Sequence, residues 1–332
     1  MNALFSIDGL DGSRESIERY SLELALKKTF ENVFYIDGSY PKKDQRSLYF
    51  SLIRELNRKS NIVRNHYSYL LRNNERKILK QVPFNKFDIF ISVNQYHSKE
   101  FISLLKKENP NIISVLFLWD KFDTTEIRET TLAYDYTFSF DPVDCDKYGF
   151  IFRPSFFTSQ NVLNEETNKT IDLYYLGRFK EERYKSIIYL YDYCMKLGLK
   201  TDLRLYIDKK NSKRTPPHEI LTKKNISYNE NLILAKKAKV ILELNLKNQT
   251  GLTLRSLECL SSKSKLITNN KHIENYDFYN ENNIFIINSL EDIDNIPYDF
   301  FTSPYQNIDS SVISKYSAIG FIDEILCTVG LK

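Results

Sequence analysis

The sequence predicts an α/β protein of two doubly wound, Rossmann-like domains facing a cleft. Three observations predict it. Short, nearly continuous apolar runs alternate with helix-length amphipathic segments, the pattern of parallel strands covered on both faces. That alternation runs once, stops at a polar, unpatterned stretch over residues 157–170, and runs again. The chain has 332 residues, too many for one ordinary core and enough for two.

In the first half, strands are expected over residues 3–7, 32–36, 87–93, 112–118 and 134–140, with helices between them that include 14–29 and 98–107. In the second, a strand is expected over 172–176, a helix over 184–197 and a strand over 202–207. A helix over 230–237, a strand over 240–244 and a helix over 252–259 follow. Strands over 265–268 and 283–287 and one closing helix over 309–329 complete it. The stretch 157–170 reads as the linker, so the domains are expected at 1–156 and 157–332, with the last helix packing back on the first. In open α/β sheets ligands sit outside the carboxyl ends of the strands, so the loops that follow strands are the places to search.

Composition narrows the function. The formal net charge is only +4, from 47 basic and 43 acidic residues, and no nucleic-acid-binding module is present, so nucleic acid is not expected as a partner. Cys145, Cys194, Cys259 and Cys327 are far apart and read as reduced core thiols. The four histidines, His66, His97, His218 and His272, show no metal-ligand spacing. No signal peptide and no membrane-length apolar run is seen, so a cytoplasmic protein is expected.

The sharpest local signal lies at residues 245–260. An apolar strand ends, a polar loop with Thr250 and Gly251 follows, and a helix begins near Thr253. Loop amides and a helix N-terminus form a ready phosphate site. Gly251 allows close backbone approach, and the two threonines add hydroxyl donors. Arg255 and Glu258 lie three apart on one helix face; arginine suits phosphate oxygens, and a glutamate there accepts from ribose hydroxyls. An ordinary N-cap followed by an Arg–Glu surface pair explains the same residues. The second signal is LGRFK at 176–180, where Gly177 ends a strand and Arg178, Lys180 and Arg183 are placed to neutralise a diphosphate. A turn with solvated basic residues is the alternative.

These segments carry a resemblance. NQTGLTLRSLECLSSKSKLITNN at 248–270, with YDFYNENNIFI at 276–286, resembles a family of bacterial capsule and lipopolysaccharide biosynthesis glycosyltransferases with the GT-B fold. FLWD at 117–120, YDYTFSFDPVDCDKYGF at 134–150 and FRPSFF at 152–157 agree, as does IDLYYLGRFKEERY at 171–184. Residues 1–110 match only in strand order. The resemblance implies a nucleotide-sugar donor bound by the second domain through Gly177, Arg178, Thr250, Gly251, Thr253, Arg255 and Glu258, with the acceptor on the first domain. It implies sugar transfer without a metal or cofactor, to a surface polysaccharide or a lipid-linked glycan.

An inverting transferase of this kind needs a general base beside the acceptor hydroxyl. Asp120 is the first choice, because it stands at the carboxyl end of a strongly apolar strand; a helix N-cap is its structural alternative. Asp8 and Asp11, in the glycine-containing loop after the first strand, come next. Trp119, the only tryptophan, is a candidate sugar-stacking wall, and His97 and Arg153 are further acceptor-side candidates. Asp141, Asp144 and Asp146 lack the calcium-loop pattern and read as structural, Asp141-Pro142 as a turn and cap. Residues 42–80 hold eleven Lys or Arg against three acids, with apolar positions at helical spacing. They form either the solvated face of core helices or a docking surface for anionic lipid. A non-catalytic nucleotide-sugar-binding protein and a nucleotide-sugar epimerase are the alternative readings of the same motifs.

Overall fold

A computed structural model describes residues 1–7, 17–37, 82–122, 128–158, 168–245 and 249–332, with single positions between 56 and 80. The chain divides into two compact units, Met1–Pro154 with Ile322–Lys332, and Ser155–Phe321.

Unit 1 contains β1 (Asn2–Ile7), α1 (Ile17–Thr29), β2 (Asn32–Asp37), β3 (Ile89–Val93), α2 (Lys99–Glu108), β4 (Ile113–Leu118), α3 (Arg128–Thr131), β5 (Tyr136–Ser139), α4 (Pro142–Tyr148) and β6 (Ile151–Phe152). Its strands form one parallel sheet in the order β2-β1-β3-β4-β5-β6. Strands such as IFISV and ISVLFL are buried along nearly their whole length, which is why they read as apolar runs. Leu4, Phe90, Phe101, Leu105 and Leu116 pack into one core, each such side chain contributing roughly 1.5–3 kcal/mol. Ser98 starts α2 by accepting from the Phe101 N–H. Asp141 caps α4 through the N–H groups of Val143 and Asp144, and Gly149, at φ 74°, closes it. The expected turn at Asp141-Pro142 is therefore the start of a helix.

Unit 2 contains β7 (Ile171–Arg178), α5 (Glu181–Lys196), β8 (Thr201–Tyr206), β9 (Leu221–Thr222), α6 (Tyr228–Lys236), β10 (Ala238–Glu243), α7 (Leu254–Ser262), β11 (Lys265–Thr268), β12 (Ile284–Ile286), α8 (Tyr298–Thr302), α9 (Ser310–Lys315) and α10 (Ala318–Thr328), whose later turns count with unit 1. Its parallel sheet has the order β12-β11-β10-β7-β8-β9. Leu173, Leu190, Val240, Leu242 and Ile267 fill one face, and Tyr174, Ile241, Leu257 and Leu266 the other. Ser227 and Glu230 form a capping box on α6.

The expected single closing helix is two helices. Ser317 breaks the run: its hydroxyl accepts from the Gly320 N–H at 3.0 Å and so opens α10. Gly320 permits the close approach of the two pieces, since a Cβ there would stand 2.2 Å from the Ser314 carbonyl oxygen. Of the expected core thiols, Cys145, Cys194 and Cys259 are buried, whereas Cys327 is exposed. No helix among the described residues is long and apolar enough to cross a membrane.

Candidate functional site

In unit 2 the chain winds from β7 through β8 to β9 on one side, then returns to β10 and winds through β11 to β12 on the other. The adjacent strands β7 and β10 therefore mark the topological switch point, where loops leave in opposite directions and open a crevice for a ligand. Both sequence signals end there: Gly177 and Arg178 close β7, and β10 leads into the loop and helix of residues 249–262.

Arg255 joins the two. From the first turn of α7 its Nη2 donates to the Leu176 carbonyl of β7 at 2.7 Å, and its Nε lies 3.2 Å from Glu258 Oε2. The guanidinium sits over the Tyr175 ring at 5.8 Å. Its Nη1 is buried and has no acceptor, and the same holds for Nε of Arg183, which hydrogen-bonds Tyr175 from α5. Two buried arginine N–H groups thus lack protein partners beside one tyrosine. Arg178 and Lys180 are exposed. Gly177 has a local reason: a Cβ there would stand 2.3 Å from Tyr175 Oη, so the glycine makes room for the neighbouring phenol.

Glu258 is buried rather than part of a surface pair. Its Oε1 accepts from Asn231 Nδ2 at 3.1 Å, and Asn231 Oδ1 accepts in turn from Tyr174 Oη at 3.0 Å. Burial pushes the Glu258 pKa up, and the Arg255 charge holds it back. Thr253 is the N-cap of α7: its hydroxyl accepts from the Arg255 N–H and donates to Glu243 Oε1. That proton goes to protein, not to a ligand. Asn270 Nδ2 holds the loop by donating to the carbonyls of Thr250 and Gly251, at 3.2 and 3.4 Å.

Glu243 escaped the sequence reading. It ends β10, is 2% exposed, and accepts from three hydroxyls: Thr253, Ser256 at 2.6 Å and Thr268 at 2.6 Å. The signal was a lone acid at the end of VILEL, with two hydroxyl residues three apart on the following helix.

In unit 1 the switch point lies between β1 and β3. Asp8 and Asp11 fall outside the described residues, as does most of the basic segment 42–80. Asp120 is exposed beyond the carboxyl end of β4, and its Oδ2 accepts from Asn94 Nδ2 at 2.9 Å. Trp119 is half-buried. His97 and Arg153 lie inside the unit. His97 is fully buried and stacked on Phe101, with Nε2 2.7 Å from Ser6 Oγ and Nδ1 3.4 Å from Glu75 Oε1. Arg153 pairs through Nε with Glu324 at 2.9 Å and donates from Nη1 to the Pro154 carbonyl. Burial at the carboxyl end of a strand was visible in the sequence for neither.

No protein-family model matches the sequence, and no curated protein matches it. Solved structures do. The apo form of the lipopolysaccharide outer core galactosyltransferase WaaB matches with a TM-score of 0.57 at 13% identity, over 99% of both chains. The α,α-trehalose 6-phosphate synthase of Burkholderia multivorans matches with a TM-score of 0.63 at 9% identity, over 99% of this chain and 96% of that one. An O-GlcNAc transferase mutant of Thermobaculum terrenum matches with a TM-score of 0.52 at 13% identity, over 99% of this chain and 66% of that one. The expected architecture of two Rossmann-like domains, GT-B, is the one present.

Proposed function

We propose that this protein is a glycosyltransferase that moves a sugar from a nucleotide-sugar donor to a growing surface polysaccharide or lipid-linked glycan, without a metal ion. The observation that carries the reading is the pair of buried, unpartnered arginine N–H groups, on Arg255 and Arg183, at the switch point of unit 2. Buried donors are almost always matched, so an acceptor-rich ligand at that place accounts for both. A diphosphate supplies the oxygens, and the N-terminus of α7 adds its dipole. As the donor's carbon–oxygen bond breaks, charge grows on the diphosphate, where fixed cationic donors lower the barrier. Arg178 and Lys180, exposed beside them, add charge. On the acceptor side Asp120 serves as the base of an inverting reaction, with Trp119 beside it. The GT-B neighbours support a transferase, and WaaB supports the surface-glycan assignment. The basic segment 42–80 suits an enzyme that meets its acceptor at an anionic membrane.

Thermal-shift measurement against UDP, GDP, CDP and CMP, with magnesium or with chelator, tests the donor site. A ligand at a hundred times its Kd stabilises by about 2.7 kcal/mol. One nucleotide is expected to raise Tm with or without metal, and Arg255→Met to abolish the shift. No shift with any nucleotide refutes the donor-site reading. Cosedimentation with liposomes, rising with the share of anionic lipid, checks the membrane assignment.

A further inference from the structure

Asn94 holds a backbone conformation that its place in the chain does not require. It follows β3 with φ 51°, in the left-handed region. The other non-glycine residue with positive φ among those described is Lys263, at 50°, and it closes α7, where a left-handed residue is a common ending. Asn94 closes no helix. Glycine would take this φ without steric cost, and an L side chain held there points to a task for that side chain.

The surroundings identify the task. The Asn94 N–H donates to the Phe117 carbonyl of β4 at 2.8 Å, which pins its backbone to the strand leading to Asp120. Its side-chain Nδ2 then donates to Asp120 Oδ2 at 2.9 Å. The amide's other end, Oδ1, is buried without a partner, so the carboxylate contact is what orients it. Tyr96, two residues further on, registers the same carboxylate: burial first, and then the charge of Asp120, push its phenol up to about 12.

We propose that Asn94 is a positioning residue that fixes the Asp120 carboxylate, occupying Oδ2 and leaving Oδ1 to meet an acceptor hydroxyl. The inference rests on Asp120 being the base. In the step it serves, the acceptor hydroxyl gives its proton to Asp120 Oδ1 while its oxygen forms a bond to the anomeric carbon. The bond from that carbon to the donor diphosphate breaks, and both electrons leave on the diphosphate. Asp120 ends as a neutral acid whose Oδ2 still accepts from Asn94. A neutral amide is suited to this role because it holds the base without exchanging a proton with it.

The test needs no identified acceptor, since water takes that part in slow donor hydrolysis. Native protein, Asn94→Gly, Asp120→Asn and the double variant are compared on UDP-glucose, UDP-galactose, UDP-GlcNAc and GDP-mannose, with kcat and KM read from released nucleoside diphosphate and Tm from calorimetry. Asn94→Gly is expected to keep or raise Tm, to leave KM within twofold, and to lower kcat about tenfold. In the double variant it should add nothing to the loss from Asp120→Asn, because the two act as one unit. A fall in Tm that accompanies the loss of kcat would make Asn94 a structural residue and overturn the proposal. Native kcat in Asn94→Gly alongside an inactive Asp120→Asn overturns this proposal alone. Native activity in Asp120→Asn removes the base and the proposal together. Hydrolysis of no donor by the native protein removes the transferase reading, and the proposal with it.

Discussion

Glu243 is the residue on which the geometry of the α7 N-terminus depends, and truncating it tests that dependence. Its carboxylate accepts from Thr253, Ser256 and Thr268, joining β10, α7 and β11. Glu243→Ala removes all three acceptors. Ser256 is 1% exposed and Thr268 0%, so water cannot replace the lost partner without opening the core. Each stranded hydroxyl costs about 1–3 kcal/mol, and a weakened Thr253 cap adds roughly 1 kcal/mol. Against this stands the relief of no longer burying a carboxylate, worth several kcal/mol. The balance is a net loss of about 3–4 kcal/mol, close to the cost of breaking a buried charged network. Glu243→Gln keeps one oxygen and should lose about 1–2 kcal/mol; Thr268→Val removes one of the three donors and should fall in a similar range. Urea unfolding followed by circular dichroism measures the change. Trp119 is the chain's one tryptophan and belongs to unit 1, so its fluorescence follows that unit and serves as an internal reference. A loss below about 1 kcal/mol for Glu243→Ala would refute the reasoning, because three hydroxyls cannot lose a charged acceptor in a dry site at so small a cost.

Two further outcomes follow from the same local geometry. Gly177→Ala drives a methyl group against Tyr175 Oη, which is 4% exposed and has little room to move, so a loss of about 1–3 kcal/mol is expected; Tyr175→Phe in the same chain should restore part of it, as urea titration would show. Burial lowers the Lys169 pKa from 10.5 to about 8 while its Nζ donates to the Ser262 carbonyl and Ser264 Oγ. Between those two values the unfolded chain binds the proton and the folded protein does not, so this group makes stability rise with pH across that window. The urea midpoint of Lys169→Met should lack that rise between about pH 7.5 and 9.5; identical slopes in variant and native protein would exclude the effect.

What could be read from the sequence follows from how each feature is buried. Parallel strands covered on both faces show as apolar runs, so β3, β4 and β10 were legible within two residues of their ends. The strands β6 and β9 have two residues each and carry no periodicity, and α4 was hidden because Asp141-Pro142 signals a turn and a helix start equally well. The loop-to-helix signal at 250–258 falls at a switch point, as the strand order requires. Its chemistry was only half legible. Spacing put Arg255 and Glu258 on one helix face, but the depth of that face depends on the strand across from it, and the Leu176 carbonyl that receives Arg255 is 79 residues away. Asn94 carried no signal, since the sign of φ at an asparagine after a strand is set by what its side chain binds.

The placement of charge around β10 separates two tasks that the sequence mixed. The acids lie within the unit: Glu243 is bound by hydroxyls, and Glu258 by Arg255 and Asn231. A buried carboxylate held only by neutral donors is poorly screened, so Glu243 opposes any anion that approaches the first turn of α7. The helix dipole, about half a unit charge, does not outweigh it. Under the proposed reading the attraction for a diphosphate must then come from Arg183 and the free N–H of Arg255, joined by the exposed Arg178 and Lys180. Exposed cations are screened by salt while buried ones are not. Nucleotide affinity should therefore fall with ionic strength through Arg178 and Lys180 and level off at the part supplied by Arg255 and Arg183. The acids set the shape of the loop, and the arginines and lysine set its affinity.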